Sequence, residues 1–172
     1  VETVSREALD HLFTLADDHH LPYLEFNELE PYGTPRAGIV FAFDDDSPDE
    51  WTSVRDILDA HGVRPTLFIT RWFEMDDAQH AEIRQFYEDG ADIEPHTVHH
   101  VHAPAYVAAN GMDAYMTDEV MPSFQVLTDA GYPPATAFAY PYNDHTQELD
   151  DRLLQQVRFV RTGLGQCLTV PD

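Results

Sequence analysis

The chain contains no lysine: its nine basic residues are all arginine, against 32 acidic residues, and the formal net charge over 172 residues is −23. A surface of that sign repels polyphosphates and anionic headgroups, which excludes nucleic acid and anionic membrane as partners. Cysteine occurs once, at Cys167, so no intramolecular disulfide is available. No run approaches the ~20 apolar residues of a spanning helix, so membrane insertion is not expected. The opening residues VETVSREALD lack a signal-peptide core. They begin on Val1 rather than Met, however, which leaves the compartment open between cytoplasm and cell surface. Internal repeats, low-complexity tracts and Gly/Ser linkers are missing too, and one core is expected.

What is present is a chain 43% hydrophobic, with its acidic residues spread over every segment. That content argues against disorder and leaves a folded, densely anionic surface. Such a surface repels itself at low ionic strength and is relieved by screening, which implies adaptation to high salt, as in haloarchaeal proteins. The competing reading, an acidic face that binds a basic partner, lacks a single acidic block to support it.

Residues 5–20, SREALDHLFTLADDHH, place a capping Ser before apolar residues at helical spacing and predict a surface-docked helix. From residue 37 strands and helices alternate. Strands are expected in AGIVFAF, RPTLFIT, ADIEP, ATAFAYP and RFVRT, with LPYLEF (21–26) as a sixth candidate. Helices are expected in 47–62, 76–90, 111–131 and 145–157, with a loop after ADIEP. Three helices end in ILDAHGV, FYEDGAD and LTDAGYP, where glycine takes the left-handed conformation that stops a helix. Short apolar strands separated by helices call for an α/β fold with parallel strands inside and helices outside. Residues 1–36 read as a lead-in segment and 37–172 as the domain proper.

The chemically suggestive residues follow strands, and in parallel α/β folds the carboxyl ends of strands form the ligand-binding rim. Asp44, Asp45 and Asp46 end the first strand, and three adjacent carboxylates there resist desolvation unless a cation neutralises them. PHTVHH at 95–100 follows another strand. On a helical turn His96 and His100 face the same way and can share a metal, while His99 points elsewhere. One Asp and two His make three ligands and leave a position open for water, as in catalytic sites. Imidazole with carboxylate suits zinc, with nickel, cobalt, manganese and iron as alternatives. The bland reading is a His-rich surface loop. Trp72 follows the second strand and is a candidate sugar platform; core packing is the commoner use of such a residue.

Taken together these motifs resemble the polysaccharide deacetylase family, the NodB-homology or carbohydrate esterase family 4 enzymes. FAFDDD reads onto that family's Thr-Phe-Asp-Asp-Gly motif as Ala42 to Asp46. HTVHH meets its His-Ser/Thr-x-x-His motif at His96, Thr97 and His100. AYPYN at 139–143 answers its Arg-x-Pro-Tyr-Gly motif. The resemblance implies a (β/α) barrel of the deacetylase type that hydrolyses N-acetyl or O-acetyl groups from a carbohydrate. Asp44 would be the general base, Asp45, His96 and His100 would hold one divalent metal, and a backbone amide near Tyr142 would help hold the oxyanion. Pro141 and Tyr142 would lie against the substrate.

The chain departs from the family in four places. Ala139 replaces the arginine that pairs with the base, Asp46 replaces a glycine, no late strand ends in Leu-x-His to give a general acid, and the chain stops at Asp172. His145 is the candidate substitute acid, set against a role in capping the helix that follows. A full eight-stranded barrel takes ~250 residues, so a distorted, open or incomplete barrel is expected, truncated at its C-terminus. Its exposed edge would need cover from the N-terminal helix, a loop or a second copy in a homo-oligomer. Two other readings stand beside the deacetylase: a non-catalytic domain that keeps the metal site for binding, and a metal amidohydrolase acting on small non-peptide amides.

Overall fold

The computed structural model describes residues 4–29 and 37–163. Helix α1 (Arg6–Asp18) begins where Ser5 caps it, the hydroxyl accepting from the Ala8 N–H at 3.1 Å. Its buried stripe of Leu9, Phe13 and Ala16 packs inward, with Phe13 edge-on to Tyr23 and Phe41. Strands β1 (Tyr23–Leu24) and β2 (Ile39–Val40) pair in parallel. The run AGIVFAF is therefore not one strand. It changes partners at Phe41, whose carbonyl accepts from Thr66, and continues as β3 (Ala42–Asp45) beside β4 (Thr66–Ile69). Helices α2 (Pro48–Thr52) and α3 (Arg55–His61) link those two strands, and α4 (Asp77–Glu88) leads to β5 (Asp92–Pro95), again parallel to β4.

The segment expected as a loop after β5 holds a helix, α5 (Ala103–Asn110), started by Pro104 near its N-terminus. The single helix expected over 111–131 is three pieces: α6 (Met112–Tyr115), a π-helical turn Met116–Val120, and α7 (Met121–Asp129). β6 (Ala137–Ala139), α8 (Gln147–Leu153) and β7 (Phe159–Arg161) complete the described chain, with β6 and β7 parallel. Gly62, Gly90 and Gly131 all have positive φ, as their helix endings require. α8 is capped by the Thr146 hydroxyl and not by His145, which instead pairs with Asp150 and lies over the Tyr140 ring.

Strand alternation sends every second side chain into the barrel. Ala42, Phe68, Ala137 and Ala139 pack there with Phe26 and Phe159. Along β5 and just past its end the same alternation places Asp92, Glu94 and His96 in succession, all three buried. Glu94 accepts from the Thr136 N–H at 3.0 Å and so ties β5 to the start of β6, which no backbone ladder joins among the described residues. Between β7 and β1 the sheet is likewise open there. The Arg158 guanidinium crosses this gap to the Asn27 carbonyl at 2.9 Å, and Phe26 approaches Phe159 with ring centroids 6.3 Å apart. The result is an α/β fold with an incomplete, open parallel barrel, and α1 covers one flank. Among the described residues no helix is long and apolar enough to cross a membrane.

Candidate active site

Of the expected residues, Asp44, Asp45, His96, His100, Pro141 and Tyr142 follow the carboxyl ends of β3, β5 and β6. Asp44 and Asp45 are the last two residues of β3, in register with Phe68 and Ile69 of β4. Asp45 has φ of 86°, a conformation that turns its carboxylate across the barrel mouth. Its Oδ1 lies 2.8 Å from His100 Nε2 and 3.6 Å from His96 Nε2, and one ligand atom from each of the three residues falls within 4.8 Å of the others. The imidazoles, His100 foremost, hold the Asp45 carboxyl well below the usual carboxylate range.

His96 is 1% exposed, and its Nδ1 is 2.8 Å from the Ala139 carbonyl. A carbonyl can only accept, so this contact makes Nδ1 a donor and leaves Nε2 as the ring nitrogen that faces Asp45. That is the arrangement of a metal-ligating histidine. With His100 Nε2 and a carboxylate oxygen beside it, the donor set fits a divalent ion of the zinc class.

The helical turn expected to bring the histidines together is not there. Residues 97–100 form a bent loop with Thr97 at φ 68° and His100 at φ 58°. The loop is tied by Val98 O accepting from the Arg71 N–H at 3.0 Å and by Thr97 Oγ1 accepting from the His100 N–H at 3.1 Å. Left-handed residues bring the imidazoles together where helical periodicity does not. Arg71, Tyr142 and Asn143 on the same rim also have positive φ, the clustering of strain that functional sites show.

Asp44 does not lack a cation. Arg161, at the end of β7, donates to its carboxylate, and the guanidinium also lies over the Phe68 ring and reaches Asn143 Oδ1. The sequence reading missed this residue. The signal was available, because Phe159 and Arg161 share a strand face and an arginine there points into the barrel mouth. Asp46 stays out of the histidine cluster and pairs with Arg71 at 3.2 Å.

Pro141 is buried in the turn Pro141–Asn143, and the Tyr142 ring is 54% exposed beside His100, with centroids 4.6 Å apart. Tyr142 stacks on His102 at 3.8 Å, and His102 Nδ1 lies 3.1 Å from Asp144 Oδ2. Trp72 is not brought to this cluster. Its ring stacks on His80 of α4 at 4.2 Å and meets the edge of Tyr132. His145 is held at Asp150 and is not gathered with Asp45, His96 and His100. Cys167 lies outside the described residues.

A sequence model described as polysaccharide deacetylase matches residues 32–159. No curated protein sequence matches the chain. Among solved structures the chain is similar to IcaB from Ammonifex degensii, at 18% identity and a TM-score of 0.76 over 93% of this chain and 76% of that one. It is also similar to the Streptococcus pyogenes deacetylase PplD, solved with acetate, at 19% identity and a TM-score of 0.72 over 89% and 70%. A third likeness is to BC0361, a polysaccharide deacetylase from Bacillus cereus, at 17% identity and 0.73, covering 92% of this chain and 50% of that one. At such identities these likenesses speak for the fold, while the sequence match spans most of the chain, including FAFDDD and HTVHH; the chain belongs to the polysaccharide deacetylase family.

Proposed function

We propose that this domain hydrolyses the N-acetyl, or O-acetyl, groups of a carbohydrate and releases acetate. The observation that carries the reading is the meeting of Asp45, His96 and His100 within one ligand sphere, with Asp44 next to it on the same strand end. Asp45, His96 and His100 would hold one divalent ion, of which zinc fits best. A bound ion of this kind lowers the pKa of its water and polarises a carbonyl oxygen.

Asp44 takes a proton from the attacking water, and Arg161, donating to its carboxylate, keeps it aimed. Water oxygen bonds to the acetyl carbon, the carbon–nitrogen bond breaks, and acetate leaves while the sugar amine gains a proton. The backbone amide at Tyr142 faces the developing oxyanion in this reading, and Pro141 with the exposed Tyr142 ring forms the wall for the sugar. The remaining imidazole beside that wall is His102, oriented by Asp144, and the reading gives it the proton for the departing amine. The −23 charge supports a protein that works in high salt.

Acetate release from acetylated chito-oligosaccharides, measured in molar salt with one equivalent of zinc, tests the reading. Turnover is expected, together with its loss in Asp44→Asn at unchanged metal content. Metal binding without turnover on any acetylated sugar would favour the binding-module alternative instead.

A further inference from the structure

We infer that Glu119 is a positioning residue of the metal centre: from the π-helical turn Met116–Val120 its buried carboxylate grips the main chain of His99 and so sets where His100 presents its imidazole. This rests on the metal-binding reading above.

Glu119 is 2% exposed, and burying a carboxylate is costly unless its oxygens are paired. Both are. Oε2 accepts from the His99 N–H at 2.9 Å, and Oε1 lies 2.8 Å from His99 Nδ1. The His99 ring itself is 64% exposed, so the contact does not serve to bury the histidine. What it fixes is the backbone one residue before His100.

That backbone needs fixing. Thr97 and His100 both sit in the left-handed region, each at a cost of about 1–3 kcal/mol that surrounding contacts must offset. Three successive residues are tethered: Val98 by Arg71, His99 by Glu119, and His100 by the Thr97 hydroxyl. The Glu119 tether alone comes from an element outside the strand ends, and it comes from the one π-helical turn among the described residues. Such turns insert a residue into a helix and occur frequently at functional sites.

Titration of the full metal-free chain with Zn²⁺ or Co²⁺ in molar salt, read as Kd and as the visible absorption of the Co²⁺ form, tests this. Wild type should bind one equivalent. Glu119→Ala and Glu119→Asp should raise Kd by about 10–100-fold and alter the cobalt spectrum, the aspartate being one methylene too short. Glu119→Gln should stay close to wild type, since its amide oxygen accepts from the His99 N–H and its amide nitrogen donates to Nδ1 of the other tautomer. The thermal midpoint of each metal-free variant reports folding, and the aspartate variant serves where alanine does not fold. A folded Glu119→Asp with wild-type affinity and spectrum would overturn the inference and leave the metal reading intact. Absence of binding by the wild type would instead overturn the metal reading itself.

Discussion

Arg161 and Asp44 stand 117 residues apart in sequence and form a charge-assisted pair at the mouth of the barrel. The chain thus supplies from β7 a cation that, by the family pattern, belongs at Ala139 on β6. If Asp44 is the base, Arg161→Met should lower kcat for deacetylation by about tenfold or more, with little change in KM and full metal content. Arg161→Lys should recover part of the loss, since it keeps the charge without the planar fork. Steady-state kinetics beside a metal assay decide this, and an Arg161→Met enzyme with wild-type kcat would remove Arg161 from the mechanism.

His102 is assigned the proton for the departing amine. His102→Gln should lower kcat on N-acetyl sugars about 100-fold, within the usual range for general acid catalysis. An activated aryl acetate, whose leaving group departs without a proton, should be hydrolysed nearly as fast by the variant as by the wild type. Equal losses on both substrates would point to stacking on Tyr142 as the role of the ring.

The barrel interior predicts a pH dependence of stability. Burial pushes the Glu94 carboxyl up to about 8, with the Asp92 charge adding to it, and burial pushes Glu25 up to about 7. Asp92 is raised as well, again chiefly by burial. In each case the folded state holds its proton more tightly than the unfolded chain does. This stabilisation is complete below the ordinary carboxylate range near 4.5 and is lost as pH rises towards 8. Urea midpoints should fall between pH 5 and pH 8, and Glu94→Gln should flatten that slope. An identical slope in the variant would show that the interior carboxylate is not the source.

Salt should stabilise the fold. Among the described residues arginines pair with Asp44, Asp46, Asp56, Asp59 and Asp89, and the chain's 32 acidic residues far outnumber its nine arginines. Most surface carboxylates therefore repel one another, over a screening length of about 10 Å at 0.1 M and 3 Å at 1 M salt. The thermal midpoint should climb steadily between 0.1 and 2 M KCl. A flat or falling curve would refute the high-salt reading.

The carboxyl-end rim was legible because β-branched and aromatic runs alternate with amphipathic stretches, and Gly62, Gly90 and Gly131 mark where helices stop. The division at Phe41 was not legible, because one apolar run reads alike whether it pairs with one neighbour or two. α5 and the π-helical turn were missed for a related reason. Local pattern does not register an inserted residue whose stabilising contact, Glu119 to His99, lies 20 residues away.

By itself the sequence determined which groups could bind a metal: a carboxylate at a strand end and two histidines four apart are chemical facts of composition and order. Tertiary structure decided how they meet. Left-handed backbone at Asp45, Thr97 and His100, the Ala139 carbonyl that makes His96 Nδ1 a donor, and Arg161 beside Asp44 all depend on strands far apart in the chain closing round one barrel. The physical reason is that tautomer, ionisation and loop conformation follow from the neighbours a side chain acquires on folding, and chain order does not name them.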